Sequence, residues 1–302
     1  MNDIEPIQTP HHPRNPYIAF FLSLFFIGLG QVYNGQAKKA ALFFTLFIAG
    51  LVSMNLSNLA TQFNGFVLFI IVAFIFRIYT AIDALIIAKQ KQDYIRKPYN
   101  TWYYHLTIAV LLAGLSMNIS ISTVLNIQTF FIPVNSNNPT LQVGDRVVAD
   151  LTYYSSNPIN YGDIVIFNGP SDQIWTFRIV GLPNDTIDIV DNIVSVNGVK
   201  SKSTFIKNVQ AEYFDLMEFE EVFPNGNTHQ IYKFTTPADT SKTTILKFIV
   251  PNNQFYVLGD NRDNALDSRF IGPIHRDDIK GRIIYTFWGN TTDRINIDLR
   301  KN

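Results

Sequence analysis

The chain has 302 residues and no cysteine, and its 24 Lys and Arg balance 24 Asp and Glu to a formal net charge of zero. Lack of cysteine excludes disulfides, thiolate metal ligands and a cysteine nucleophile, and lack of a basic surplus removes the electrostatic footprint of a nucleic-acid binder. Hydrophobic residues make up 47% and charged residues 16%, an apolar balance for a soluble protein.

The apolar residues crowd into the first 127 positions. Four stretches, 16–32, 40–56, 66–88 and 105–127, each approach the ~20 residues needed to cross hydrocarbon, so residues 1–127 are predicted to form a membrane region with about four transmembrane helices. A cleavable signal peptide fits poorly, because the first apolar run is followed by further runs rather than by a polar mature domain. Lysine and arginine near span ends stay on the cytoplasmic side. Lys89, Lys91, Arg96 and Lys97 therefore place the link between the third and fourth stretches inside, and Lys38 and Lys39 do the same for the first link. The uncharged region 55–64 then faces out, and everything after Ile127 emerges on the outer side of a cytoplasmic (inner) membrane, periplasmic in a bacterium with two membranes. With four alternating spans the N-terminal tail also lies outside, and a re-entrant hairpin over the first stretch is the alternative. The glycines and Asn-Gly pair of residues 28–35 read as a turn between two spans. Arg77 reads as the start of an interfacial helix over residues 78–91, its side chain snorkelling to headgroups, in preference to a functional relay with Asp83.

From residue 128 to residue 302 the pattern changes to short runs rich in Val, Ile, Phe and Tyr, punctuated by Asn, Asp, Gly and Pro, which is the strand-and-turn signature. Strands are expected over 145–151, 163–167, 187–190, 193–196, 230–234, 245–250, 254–258 and 282–288. Asn197-Gly198 is a hairpin turn, since both residues accept positive φ. The fold class is a multi-span α-helical membrane region followed by an all-β domain, which carries an insertion at about residues 200–244.

Four short segments of this second half carry the chemistry. Residues 132–145 read Ile-Pro-Val-Asn-Ser-Asn-Asn-Pro-Thr-Leu-Gln-Val-Gly-Asp, residues 162–167 Gly-Asp-Ile-Val-Ile-Phe, and residues 177–185 Phe-Arg-Ile-Val-Gly-Leu-Pro-Asn-Asp. Residues 259–272 read Gly-Asp-Asn-Arg-Asp-Asn-Ala-Leu-Asp-Ser-Arg-Phe-Ile-Gly. Their order and spacing resemble the boxes of type I signal peptidases (peptidase family S26): I-P-S-G-S-M-x-P-T-L-x-x-G-D, R-G-D-I-V-V-F, K-R-V-x-G-L-P-G-D and G-D-N-R-x-x-S-x-D-S-R-x-x-G. The resemblance covers roughly residues 130–290 and implies a serine endopeptidase that removes signal peptides from exported preproteins at the membrane.

It also implies that Ser136 stands at the nucleophile and Phe177 at the catalytic lysine. A serine hydroxyl needs a neighbouring base, and a lysine serves when burial leaves it neutral; phenylalanine accepts no proton. Val134 occupies the place of a serine whose hydroxyl helps hold the tetrahedral intermediate. Ala265 replaces a serine that orients the lysine. Asn135 and Asn184 stand where the family has glycines, and asparagine is the side chain that best tolerates left-handed backbone. Phe130 and Ile132 line, by the same resemblance, a shallow apolar groove where an extended preprotein segment adds along a strand. Asp260, Arg262, Asp267, Ser268 and Arg269 read as a structural network near the site. His229, in the insertion, and His275 are the histidines beyond the fourth stretch, both read as solvated, as are Lys200, Lys202 and Lys207. Neither a metal nor an organic cofactor is implied.

Three readings follow. The first is a non-cleaving binder of preproteins or signal peptides, or a regulator of another peptidase or secretion component. The second is an active peptidase with Ser136 and an unrecognised base, and the third is a membrane scaffold or transporter component with the β domain as accessory. In all of them the lipid bilayer is a partner.

Overall fold

The computed structural model describes residues 13–90, 101–118, 124–170, 173–211, 214–236 and 244–300. It divides into two compact units, Met1–Leu125 and Asn126–Asn302.

The first unit is helical. Helix α1 (Pro16–Phe25) starts at Asn15, whose side chain accepts hydrogen bonds from the Tyr17 and Ile18 backbone N–H groups, with Pro16 at the first position. It stops after ten residues, ~15 Å at the helical rise and half of a hydrocarbon thickness. The chain then turns through Gly28, at φ 90°, into the five-residue helix α2 (Leu29–Tyr33). A Cβ at Gly30 would sit 2.2 Å from the Ala19 carbonyl oxygen and 2.8 Å from the Cβ atoms of Ser23 and Ala84, so only glycine lets α2 lie this close to α1. The continuous span expected over 16–32 is therefore not formed, and part of the expected turn at 28–35 is helix. The start of α1 and the end of α2 meet: the Asn15 N–H donates to the Tyr33 hydroxyl (3.2 Å), and the Arg14 guanidinium lies 4.7 Å above the Tyr33 ring. α1 and α2 thus form a helical hairpin whose two ends meet.

Helices α3 (Ala37–Leu56) and α4 (Phe63–Gln90) are long and apolar enough to cross a membrane, and a 3-10 turn, Leu59–Thr61, separates them. α4 runs unbroken through Arg77, because nothing between residues 66 and 90 is glycine or proline; the separate interfacial helix expected at 78–91 is instead the end of α4, with Lys91 outside the described residues. α5 (Trp102–Asn118) covers part of the fourth expected stretch, and residues 119–123 lie outside the described residues. Polar side chains tie these helices together. Lys39 at the start of α3 pairs with Asp83 of α4 at 2.6 Å, and the Gln31 amide donates to Asp83 (3.1 Å) and to the Thr80 carbonyl (2.7 Å). Ser23 donates to Gln31 (2.9 Å), and Asn34 donates to the Ala84 carbonyl (2.7 Å).

Among the described residues the second unit has fourteen strands. In chain order the first seven are β1 (Ile127–Phe131), β2 (Arg146–Asp150), β3 (Ile164–Asn168), β4 (Ile174–Gly181), β5 (Thr186–Val190), β6 (Ile193–Val196) and β7 (Val199–Lys200). They are followed by β8 (Lys202–Gln210), β9 (Asp215–Val222), β10 (Thr228–Phe234), β11 (Ile245–Ile249), β12 (Gln254–Leu258), β13 (Ile274–His275) and β14 (Ile279–Trp288). A seven-stranded sheet in the order β1-β2-β14-β3-β4-β12-β13 carries the site, a four-stranded sheet β11-β5-β6-β7 lies beside it in sequence, and β10-β9-β8 form a third sheet. Each expected strand coincides with one of these elements, those over 145–151, 163–167 and 245–250 overrunning it by one residue at one end or both, and the Asn197-Gly198 hairpin forms with both residues at positive φ and Val196 opposite Val199. Asn184 takes the left-handed backbone expected of it, at φ 72°; Asn135 does not. Two short helices, α6 (Tyr153–Ser156) and α7 (Ser268–Ile271), complete the unit.

Candidate active site

Ser136 lies in the turn-rich segment between β1 and β2, partly exposed. The Asn261 N–H donates to the Ser136 carbonyl at 3.1 Å, and the Asn261 side-chain amide donates to the Asn135 carbonyl, also at 3.1 Å. The neighbouring Asn137 is buried and donates to the Thr176 carbonyl of β4 at 2.7 Å. These bonds join the Ser136 turn to the strand that carries Phe177 and to the 259–272 segment.

Gly259 is where the pieces meet. A Cβ there would stand 2.4 Å from the Ala265 Cβ, 2.5 Å from the Ser136 carbonyl oxygen and 3.3 Å from Cε1 of Phe177. The fold thus brings Ser136, Phe177 and Ala265 around one glycine. Phe177 and Ala265, 4% and 8% exposed, belong to one apolar cluster with Val165, Phe167, Ile179 and Val257. The Phe177 ring lies 6.1 Å from that of Phe167 and edge-on to Trp175 at 6.0 Å. Such a set buries apolar surface, worth roughly 1.5–3 kcal/mol for a fully enclosed phenylalanine, and offers no atom that accepts a proton. Among the described residues none shares a hydrogen bond with the Ser136 hydroxyl. Val134 is exposed and aliphatic. Ile132 is buried in a core with Leu141, Val147 and Ile164, and Phe130 packs half-buried against the same core.

Charges sit in pairs behind this centre. Arg178, next to Phe177, grips Asp260 through Nε (2.8 Å) and a terminal nitrogen (2.7 Å), and also donates to the Gly162 carbonyl. Arg262 pairs with Glu221 of β9, and Arg269 grips Asp267 through two nitrogens at 2.8 Å each. Asp267 in turn accepts the Gly259 N–H at 2.9 Å, and the Ser268 hydroxyl accepts the Val257 N–H at 2.9 Å. Burial works to raise the Asp260 carboxyl, but Arg178 and His229 outweigh it and hold the group below its ordinary value.

His229 departs from its expected solvated state. It is buried, stacked on Phe223 with ring centroids 4.5 Å apart, and its Nε2 lies 3.2 Å from Glu221 and 3.9 Å from Asp260. Burial, reinforced by the nearby Arg178 charge, pushes its imidazole below the ordinary value despite both carboxylates. The signal was present in the strand period: His229 shares a face of β10 with the fully buried Ile231 and stands opposite Glu221. His275 is at the sheet edge, its Nδ1 3.3 Å from the exposed Asp277, and Lys200, Lys202 and Lys207 are exposed, as expected of them. Lys233 was not singled out by its sequence, yet it is half-buried, and burial followed by the Arg262 charge lowers its ammonium from the usual range. It lies 5.1 Å above the Phe219 ring.

The family description of signal peptidase, peptidase S26, matches residues 100–288, more than half of the chain. The chain belongs to the S26 signal peptidase family. It is 29% identical over 216 residues to signal peptidase I of Rickettsia prowazekii, covering 59% of this chain and 80% of the relative. It is 27% identical over 157 residues to signal peptidase IB of Staphylococcus aureus, covering 51% and 73%. A crystal structure of a signal peptidase I from Enterococcus faecalis V583 is similar over 42% of this chain and 97% of its own, at 23% identity and a TM-score of 0.26.

Proposed function

We propose that this S26-family membrane protein engages exported preproteins or signal peptides on the outer face of the cytoplasmic membrane and holds them without cleaving. The observation that carries this reading is the apolar pair Phe177 and Ala265 packed beside Ser136 around Gly259. Acyl transfer from a peptide bond to serine requires a base for the hydroxyl proton and donors for the developing oxyanion. The side chain at the lysine position has no lone pair, and Val134 has no hydroxyl. The backbone N–H of Ser136 remains as an oxyanion donor, but loss of one donor costs ~10²–10³ in rate, and loss of the base in a serine hydrolase costs ~10⁴–10⁶. The frame around the centre is intact, with Asp267 and Arg178 fastening Gly259 and Asp260, which is what recognition without chemistry needs. On this reading Phe130 lines the contact surface for an extended segment and Ile132 supports it from the core.

The membrane region crosses more than once, and the β unit stands on the side opposite the lysine-bearing links. The hairpin of α1 and α2 returns the N-terminal tail to the lysine side.

The test is cleavage of a preprotein by the detergent-solubilised full chain beside Ser136→Ala and Phe177→Lys. The expected result is no cleavage by the wild type, with saturable preprotein binding. Wild-type cleavage that disappears in Ser136→Ala would sink the reading and establish an enzyme with another base.

A further inference from the structure

Strand β4 has one edge that is only half used. Its first edge pairs with β3 from Ile174 to Arg178, whereas on the second edge β12 pairs only with Arg178, Ile179 and Gly181. Among the described residues no strand pairs with the second edge between Ile174 and Phe177. The Ile179 N–H and C=O turn toward the 162–163 segment on the β3 side. Because N–H and C=O of successive residues face opposite edges, those of Ile174 and Thr176, an odd number of residues from Ile179, face the open one. Ile174 and, in the Ser136 segment, Val134 expose apolar side chains. An unpaired edge flanked by exposed apolar groups is a place where an extended chain adds as a strand.

One acceptor of that edge is already taken. The carbonyl of Thr176 receives the Asn137 side-chain amide at 2.7 Å, and Asn137 is 4% exposed, one residue from Ser136. A polypeptide adding to this edge aims one of its own N–H groups at the same carbonyl and competes there with the Asn137 amide. We propose that Asn137 is a built-in plug of the β4 edge, an autoinhibitory contact that weakens capture of extended polypeptide beside Ser136. The proposal rests on the reading of this centre as a binding site and specifies how that site is restrained.

The test is fluorescence anisotropy of a short labelled peptide, uncharged and alternating small with aliphatic residues, titrated with the detergent-solubilised full chain. Asn137→Ala is expected to bind about fivefold more tightly, the worth of one exchanged hydrogen bond. Methylating the peptide amides one at a time is expected to abolish that gain at a single position, the one that donates to Thr176. Asn137→Ser, whose hydroxyl is too short to reach the carbonyl, repeats the comparison if the alanine variant lowers the unfolding temperature. Equal affinity of wild type and both variants would overturn the plug while leaving the binding site standing. Absence of binding in wild type and folded variants alike would overturn the binding reading itself, and the plug with it.

Discussion

His229 is enclosed by Phe223, Glu221 and Asp260, and Arg178 and Arg262 pair with those same carboxylates. Its imidazole is shifted downward, and the sign of the consequence follows from linkage. An unfolded chain takes up a proton near the ordinary histidine value of about 6.5, while the folded chain does not. Stability from this site is therefore complete above that value and drains away as pH falls below it. Thermal unfolding followed from pH 7 to pH 5 is expected to show a falling midpoint in the wild type and a flatter profile in His229→Gln. Asp163, whose buried carboxyl is shifted upward against the pull of Arg282, contributes in the opposite sense and cancels in the comparison. A slope unchanged by the substitution would show that His229 is not the titrating group. The residue types at Ser136, Phe177, Val134 and Ala265 were legible in the sequence because the flanking boxes fix their register. The inward face of His229 was legible in the period of β10, which it shares with Ile231, but its partners Phe223 and Asp260 were not, because they come from segments that only the tertiary fold brings to it.

At the scale of elements, the sheet of β8, β9 and β10 is more than an appendage in sequence. The Tyr232 N–H donates to the Asp260 carbonyl, and Tyr232 accepts the Arg262 N–H in return. Glu221 meanwhile supplies the counter-charge of Arg262 and accepts the Ser201 hydroxyl. The sheet thus holds residues 260–262, which hold the Ser136 turn through Asn261. Removing one member of a buried ion pair costs ~3–5 kcal/mol, whereas replacing both by apolar groups is often near neutral. Glu221→Ala is expected to lower stability by about that amount in denaturant unfolding, and Glu221→Ala combined with Arg262→Met to recover most of it; a double variant no better than the single would remove the pair from this role. Strand period and turn residues announced most strands of the β unit. β4 was missed as a strand because its sequence was absorbed into a motif, β8 because its polar, solvent-facing residues dilute the alternation, and β9 because the polar Glu218 and Glu221 stand at buried positions where the strand period calls for apolar ones. In the first unit, composition alone marked four apolar stretches. It did not distinguish a span from a hairpin, since that choice turns on the close contact of Gly30 with Ala19.

For the whole molecule, the proposed topology puts the loops at the open end of the hairpin and at the start of α3 on one side of the membrane. The two ends of the hairpin meet at Asn15 and Tyr33, and Lys39 and Asp83 join the starts and ends of α3 and α4 on the same side. Because the chain has no cysteine, single cysteines report topology without background. Asn58→Cys and Asn160→Cys, both at exposed positions, are expected to react with a membrane-impermeant maleimide in intact cells. Pro13→Cys and Lys38→Cys are expected to react only after permeabilisation. Labelling of Pro13→Cys in intact cells would restore four alternating spans.

The apolar packing around Phe177 has one more consequence, for the relation between durability and reactivity. A lysine placed there would be walled in by Val165, Phe167, Ile179 and Val257, and the dry surroundings that neutralise its amine for catalysis are the same ones that disfavour its charged form in the folded state. A working centre at this position therefore carries a standing strain on the fold, relieved as the medium becomes alkaline enough to keep the amine neutral. On the proposed non-cleaving reading, the phenylalanine at this position leaves the fold free of that strain.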